Sequence, residues 1–168
     1  FENYGKKVKV NYTTYASNED MYAKLKSGAV KYDIIVPSDY MIELMIEEDM
    51  LEEINFANIP NYRYIADEYR GLFYDPDDKY SVPYTYGMVG IIYNTSMVEG
   101  TPESWNLMWD ENYRGKILNF NNPRDAFGTA MYRLGIDVNT TSHADWDAAY
   151  EALKEQKPLV QSYVMDEV

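Results

Sequence analysis

Three polar side chains that could bind a ligand follow an apolar run in the first quarter of the chain. Ser38 and Tyr40 offer hydroxyl groups and Asp39 offers a carboxylate, so their chemistry is hydrogen bonding and charge recognition. The preceding residues 32–36 are mostly apolar, and Pro37 disfavours a helical conformation just before it. Ligands in open α/β sheets bind at the carboxyl ends of strands. This pattern predicts a buried strand that ends in a candidate binding loop, although an exposed polar turn has the same composition.

The pair Asn122 and Asp125 and the acidic residues at 75–78 could bind a ligand or a metal ion, but each also fits a purely structural role. Asn122 precedes Pro123 and is followed by Asp125, which is the pattern of an N-cap, a proline in the first turn and an acidic first turn. The sequence Asp-Pro-Asp-Asp at 75–78 is an acidic turn that lacks the spacing and closing glutamate of a calcium loop. We therefore expect a helix start at Asn122, a turn at 75–78 and no metal site.

Catalytic motifs are sparse in this chain. His143 is the only histidine, and at a predicted helix start it is typical of a solvated surface residue. The chain has no cysteine, no Gly-x-Ser-x-Gly sequence, no phosphate-binding loop and no dinucleotide glycine pattern. We therefore expect a protein that is not an enzyme and that carries no cofactor.

Charge and composition narrow the class of partner. The 168 residues carry a net charge of −13, which repels nucleic acids and anionic lipid surfaces and favours cationic partners; a solvated acidic surface is the alternative explanation. Eighteen tyrosines against five phenylalanines suit a wet cleft as well as half-buried strands. No hydrophobic run approaches the length of a membrane span. The chain begins at Phe1, so we expect any signal sequence or lipid anchor to lie outside it.

The first half alternates between strand and helix patterns. Strands are predicted over 7–12 and 32–36, with a capped helix over 17–28 between them. A strand, a helix and a second strand form the repeat of a parallel α/β sheet. An amphipathic helix over 41–49 and a weaker helix over 61–70 follow.

A long extended segment over 80–94 separates the two halves. Gly87 and Gly90 interrupt it, and glycines within a strand mark bends or close backbone approach. We interpret the segment as a crossover between two lobes, assigned to residues 1–86 and 87–168. An irregular edge strand within a single domain is the alternative.

The second half repeats the α/β pattern. Residues 101–103, Thr-Pro-Glu, have the signature of a helix start before an aromatic-rich stretch whose tryptophans are expected in the core. The remaining predicted elements are a strand over 116–120, helices over 126–134 and 142–156, and a strand over 159–163.

Five blocks, in order along nearly the whole chain, carry a resemblance to a known family. The blocks are Tyr15-Ala16-Ser17-Asn18-Glu19 with Lys24, residues 32–38, Pro83-Tyr84-Thr85-Tyr86-Gly87 with Tyr93-Asn94, residues 104–109, and Arg124-Asp125 with Leu134-Gly135. They resemble bacterial spermidine/putrescine-binding proteins, the extracytoplasmic receptors of polyamine importers. The resemblance implies an α/β, two-lobed type II periplasmic-binding-protein-like fold, present here as a partial chain. It also implies a polyamine ligand and, as partner, the membrane permease of an ABC importer. The implied location is periplasmic or lipid-anchored, and a lipid-anchored receptor would be a lipoprotein of a Gram-positive organism.

The resemblance also implies ligand residues. Ser38 and Tyr40 match the family's serine and tyrosine after the buried strand, and Asp125 matches a family carboxylate. Asn122 falls on a second carboxylate position, where an amide accepts a hydrogen bond but brings no charge. A polyamine carries ammonium groups between methylenes, so it needs carboxylates and aromatic faces. The candidate ligand-binding residues are Ser38, Asp39, Tyr40, Tyr86, Asn122 and Asp125.

Relative to that family, the chain is expected to be about half a receptor. An opening strand–helix unit and the half that carries the tryptophan walls have no counterpart here, so the apolar run Ile34-Ile35-Val36 is expected to be exposed. The alternative from another class is an acidic, tyrosine-rich protein-interaction module without a role in small-molecule transport.

Overall fold

The computed structural model describes residues 8–165, and the chain divides into two compact units, Phe1–Tyr86 and Gly87–Val168. Each unit has a buried apolar cluster of its own. The two units are described separately below.

Two helices organise the first unit. Helix α1 spans Asn18–Lys26 and begins at Ser17, whose hydroxyl oxygen accepts a 3.1 Å hydrogen bond from the backbone nitrogen of Asp20. Gly28 follows the helix with a φ of +72°, a conformation that glycine adopts without strain. The predicted capped helix is therefore confirmed.

Helix α2 spans Asp39–Glu47, two residues earlier at each end than the predicted 41–49. Its apolar side packs on α1, and the side chains of Met21, Met41 and Met45 are almost completely buried. Because α2 begins at Asp39, the predicted binding loop is instead the first turn of a helix.

The strands predicted in this unit are not formed. Residues 8–12 and 32–36 have no regular secondary structure, and Lys7 lies outside the described residues. Ile34 is 84% exposed and Val36 is 60% exposed, so the prediction of a buried strand is wrong, and the expected exposure holds for these two residues but not for Ile35, which packs on the buried methionine cluster. A strand needs a neighbour that pairs its backbone groups, and the described residues of this unit include no strand.

The weaker helix predicted over 61–70 is also wrong. Two short 3₁₀ turns, Pro60–Tyr64 and Asp67–Tyr69, occupy this region, with an extended backbone at Ile65 and Ala66 between them. The stretch has no continuous apolar face that tertiary packing could hold in a longer helix.

The acidic turn at 75–78 is formed as predicted. Asp75 is 3% exposed, and its carboxylate accepts hydrogen bonds of 2.8–3.0 Å from the backbone nitrogens of Lys79, Tyr80 and Ser81 and from the Ser81 hydroxyl. These bonds tie the turn to the segment that follows it.

The second unit contains a two-stranded parallel sheet and two helices. Strand β1, Ile117–Phe120, pairs with β2, Val160–Val164, with Phe120 opposite Val164. Helices α3, Pro123–Leu134, and α4, His143–Gln156, connect the strands along the chain. The α/β pattern predicted for this half is confirmed, with boundaries shifted by a few residues at most.

Small side chains let α3 and α4 pack closely. Ala130, Ala149 and Ala152 are buried at their contact, together with Met131. Trp109 packs against this cluster, and its indole nitrogen donates a 2.7 Å hydrogen bond to the carbonyl of Ala152. The expectation that Trp109 belongs to the core is confirmed.

Two predictions for residues 80–109 need correction. Residues 81–94 have no strand, so their extended character does not produce sheet pairing. The aromatic stretch forms a short 3₁₀ turn, Trp105–Trp109, which is capped by Ser104 and not by Thr101. Ser104 caps this turn because its hydroxyl oxygen accepts a hydrogen bond from the backbone nitrogen of Asn106.

Candidate functional site

The first turn of α2 contains three of the predicted ligand residues. Ser38 occupies the N-cap position, and Asp39 and Tyr40 are the first two helical residues. Asp39 Oδ1 accepts a 2.8 Å hydrogen bond from the backbone nitrogen of Tyr40, so this carboxylate caps its own helix. Ser38 and Asp39 are exposed and Tyr40 is half-buried.

The start of α1 fixes two of these side chains. Asn18 Nδ2 donates to Ser38 Oγ at 3.0 Å and to the Tyr40 hydroxyl at 3.1 Å, while Asn18 Oδ1 accepts from the backbone nitrogen of Ser38 at 3.3 Å. The Tyr40 hydroxyl donates to Glu19 Oε1 at 2.8 Å. We call Asn18, Glu19, Ser38 and Tyr40 the α1–α2 network. It brings the predicted residues Ser38 and Tyr40 together.

Tyr15 anchors the chain that leads into α2. Its hydroxyl donates a hydrogen bond to the carbonyl of Val36, one residue before Pro37. A tyrosine hydroxyl is protonated at neutral pH and can donate, and burial raises the pKa of the Tyr15 phenol above its ordinary value. The approach to Ser38 is therefore held by a side chain that lies before α1.

Tyr86, the fourth predicted residue of this unit, packs on Tyr69. The ring centroids are 5.2 Å apart and the rings are nearly parallel, with an interplanar angle of 24°. A hydrogen bond with Tyr86, together with burial, raises the pKa of Tyr69. Asn18 and Glu19 of α1 form hydrogen bonds with Ser38 and Tyr40, and Tyr86 instead contacts Tyr69.

The remaining two predicted residues meet at the start of α3. Asn122 is the N-cap: its Oδ1 accepts a 2.9 Å hydrogen bond from the backbone nitrogen of Arg124. Its Nδ2 donates a 2.8 Å hydrogen bond to Oδ2 of Asp125. The predicted helix start is confirmed, and one amide both caps the helix and orients the neighbouring carboxylate.

Asp125 is half-buried, and this burial raises the pKa of its carboxyl group, while the positive charge of Arg124 opposes the shift. The ionised form is therefore less well solvated than that of an exposed aspartate. A cation placed against this carboxylate would restore the lost stabilisation. The start of α3 is chemically suited to a positively charged ligand.

Sequence reasoning missed Asn18 and Glu19 as neighbours of Ser38 and Tyr40. Their only signal was membership of the first block of resemblance, because no local pattern links residues that are 20 to 22 positions apart. Within residues 8–165, no group of three or more histidine, aspartate or glutamate side chains is arranged to hold a metal ion. In the same range, no helix has the length and apolar character needed to cross a membrane.

Comparison with known proteins assigns the chain to a family. The model of a family described as bacterial extracellular solute-binding protein matches residues 29–167, which include most of both units. The chain belongs to this family. It is a family of solute-binding proteins and not of enzymes.

Individual members of this family extend the comparison. The spermidine/putrescine-binding periplasmic protein of Salmonella typhimurium is 37% identical over 95% of this chain and 46% of its own length. The solved structure of the spermidine/putrescine ABC transporter substrate-binding protein PotD from Streptococcus pneumoniae is 35% identical, with a TM-score of 0.76 over 99% of this chain and 51% of its own. A proposed spermidine/putrescine ABC transporter from Listeria monocytogenes is 36% identical, with a TM-score of 0.91 over 99% of this chain and 52% of its own.

These neighbours confirm the predicted fold class, a partial two-lobed type II periplasmic-binding-protein-like fold. The chain spans about half the length of the curated relatives it matches.

Proposed function

We propose that this chain is part of an extracytoplasmic receptor that captures a polyamine, spermidine or putrescine, for an ABC importer. The observation that carries the proposal is its 37% identity, over 95% of its length, to a spermidine/putrescine-binding periplasmic protein. The net charge of −13 supports a cationic ligand. The partner that follows from this role is the membrane permease of the importer, and no catalytic role is proposed.

The candidate residues supply the chemistry that such a ligand needs. Asp125 offers a half-buried carboxylate to one ammonium group, and the Tyr40 ring and hydroxyl offer an aromatic face and an oxygen. Ser38 and Asp39 add polar atoms beside Tyr40, and Asn122 holds the Asp125 carboxylate in place. Tyr86 adds an exposed aromatic ring in the first unit.

The same proposal gives the two units a role. Residues 1–86 belong to the first lobe of the receptor and residues 87–168 to the second, with the segment 80–94 as the crossover. A lipid anchor is a further prediction, which rests only on the resemblance of the sequence to the family. The relatives support a periplasmic or extracellular location.

The alternative, an acidic tyrosine-rich interaction module, makes a different prediction. Such a module would change its size in solution with a protein partner and would not respond to small amines. The match of residues 29–167 to a solute-binding family does not favour it.

Titration calorimetry on the full-length protein that carries these residues tests the proposal. Spermidine and putrescine are each added, and 1,8-octanediol serves as a control that has methylenes but no ammonium group. We expect saturable binding of at least one amine, a rise in melting temperature with amine concentration, and no response to the diol. Absence of binding of both amines, or an equal response to the diol, would contradict the proposal.

A further inference from the structure

Asn18 and Glu19 stand next to two proposed ligand residues, yet neither has a role in the site described so far. The orientation of the Asn18 amide follows from its partners. The backbone nitrogen of Ser38 can only donate, so Asn18 Oδ1 faces it at 3.3 Å. Asn18 Nδ2 therefore faces the hydroxyl oxygens of Ser38 and Tyr40, at 3.0 and 3.1 Å. A single amide thus holds both hydroxyl groups.

The proton of Tyr40 has a defined direction in this network. A tyrosine hydroxyl has one proton to donate and two lone pairs to accept. The proton points to Glu19 Oε1, 2.8 Å away, and Asn18 donates to the oxygen. Toward any further group, the Tyr40 oxygen can therefore act only as an acceptor. An ammonium group has three donors and no acceptor, so it is the complementary ligand.

The N-cap of α2 differs from the N-caps of α1, α3 and α4, and the difference concerns the hydrogen bond that the Ser38 side chain accepts. The N-cap side chains Ser17, Asn122 and Ser142 each accept a hydrogen bond from the backbone of their own helix. The Ser38 side chain makes no such bond, and its oxygen accepts from Asn18 instead. Loss of an N-cap side-chain bond lowers the stability of a helix. The Asn18 contact replaces a bond that the other helices keep.

We propose that Asn18 and Glu19 are positioning residues that hold the Ser38 and Tyr40 oxygens as acceptors for an ammonium group of the polyamine. The inference rests on the proposed function, because it concerns the same ligand. Its physical benefit is preorganisation: side chains that are already fixed lose less conformational entropy when the ligand binds. The direction of the Tyr40 proton adds selectivity for donors over acceptors.

Contacts outside the network also hold the two helices together. The buried side chains of Met21, Met41 and Met45 already join α1 to α2. At the far end of α1, the Tyr22 hydroxyl donates to Glu48 Oε2 at 2.7 Å, next to a 2.7 Å ion pair between Lys26 and Glu48. This second polar link offers a matched control, because it joins α1 to the residue that follows α2 and includes no candidate ligand residue.

Spermidine affinity is measured by calorimetry in the full-length protein that carries these residues. We compare Asn18→Ala and Glu19→Gln with Tyr22→Phe, and record melting temperatures without ligand. We expect Asn18→Ala to weaken binding about tenfold, the scale of one or two lost hydrogen bonds, whereas Tyr22→Phe leaves affinity unchanged. Glu19→Gln is repeated in a Tyr40→Phe background. A long-range charge effect of Glu19 persists there, but an effect that acts through the Tyr40 hydroxyl disappears.

The results distinguish the positioning role of Asn18 and Glu19 from the proposed polyamine-binding function. Affinity that Asn18→Ala leaves unchanged, or an effect of Glu19→Gln that is equal in both backgrounds, would overturn the positioning role and leave the proposed function standing. Failure of the unaltered protein to bind spermidine and putrescine would overturn both. If Asn18→Ala does not fold, the Glu19→Gln cycle decides alone, since Glu19 is an exposed side chain.

Discussion

The side-chain nitrogen of Asn122 donates a 2.8 Å hydrogen bond to Oδ2 of Asp125 at the start of α3. The oxygen of the same amide already accepts from the backbone nitrogen of Arg124. Asn122 therefore acts on the carboxylate beside it, and Asp125 provides the negative charge at this position. The resemblance placed a second carboxylate at Asn122, and the structure gives the amide there a supporting role.

Replacing Asp125 by asparagine removes that charge while keeping the size of the side chain. We expect Asp125→Asn to weaken polyamine binding by about 1.5–3 kcal/mol, or roughly 10- to 150-fold, because a charge-assisted hydrogen bond is lost. The measurement is calorimetry on the full-length protein. Asp145→Asn is the matched control, because Asp145 lies three residues after the N-cap of α4 just as Asp125 does in α3. Unchanged affinity with a small loss of stability would show that Asp125 only complements the helix dipole.

The raised pKa of Asp125 predicts a dependence on pH. The folded protein holds the Asp125 proton more tightly than the unfolded chain does. The contribution of this group to the free energy of unfolding therefore falls as pH rises from the usual aspartate pKa through the raised one. Comparison of the wild-type protein with Asp125→Asn over the weakly acidic range isolates this contribution. A difference in stability that does not vary with pH would contradict it.

Ligand binding should act on the same carboxyl group in the opposite direction. An ammonium group favours the ionised carboxylate, so spermidine should lower the pKa of Asp125, and affinity should rise with pH until the group is ionised. An NMR titration of the Asp125 carboxyl carbon, with spermidine or with 1,8-octanediol, measures the shift. A pKa that spermidine leaves unchanged would place the ammonium group elsewhere.

Asp75 gives a prediction for stability alone. Its carboxylate is 3% exposed and accepts bonds from three backbone nitrogens and one hydroxyl. We expect Asp75→Ala to lower the free energy of unfolding by about 3 kcal/mol, because these donors lose their acceptor. Asp77→Ala in the same turn is the control: its side chain is 71% exposed and pairs only at the surface with Lys79, so a change within about 0.5 kcal/mol is expected. The unfolding free energies of both variants are measured by urea unfolding. Equal losses in the two variants would contradict the stabilising role of Asp75.

Gln156 gives the corresponding prediction for the second unit. This residue is fully buried, accepts a 2.7 Å hydrogen bond from Asn119 and donates a 3.1 Å bond to the carbonyl of Met108. Gln156→Leu leaves a buried amide donor and a carbonyl without these partners, so we expect a loss of about 2 kcal/mol in unfolding free energy. Gln161→Leu, at an exposed position in β2, is the control, and thermal unfolding of the two variants is compared. A loss no larger than that of the control would refute this role.

The elements that the sequence predicts correctly are those with local signals. Ser17 and Asn122 sit directly before helices whose backbone they cap, and Gly28 and Gly135 follow the ends of α1 and α3 with positive φ. Such signals work because donor, acceptor and backbone conformation lie within a few residues of each other. The parallel strands β1 and β2 are also predicted, because each lies next to a clear helix boundary.

The errors lie where a partner distant in sequence decides the outcome. Residues 32–36 have the composition of a strand, but a strand forms only when a neighbour pairs its backbone groups. Asp39 and Tyr40 were expected in a loop because Pro37 precedes them, yet the packing of Met41 and Met45 on Met21 starts the helix at Asp39. Local composition does not contain this information for residues 32–36, whereas the start of α2 has a local signal in Ser38, a favoured N-cap residue, which the prediction did not use.

The sequence by itself determined the family, the acidic charge that suits a cationic ligand, and the helix start that carries Asn122 and Asp125, whereas it placed Ser38 and Tyr40 in a loop. Only the tertiary structure decided how those side chains are held. The bonds from Asn18 and Glu19 to the start of α2 join residues 20 to 22 positions apart, and burial of Asp125 depends on the packing of a whole unit. Hydrogen bonds and desolvation act between neighbours in space, and spatial neighbours that are distant in sequence leave no pattern in a single chain.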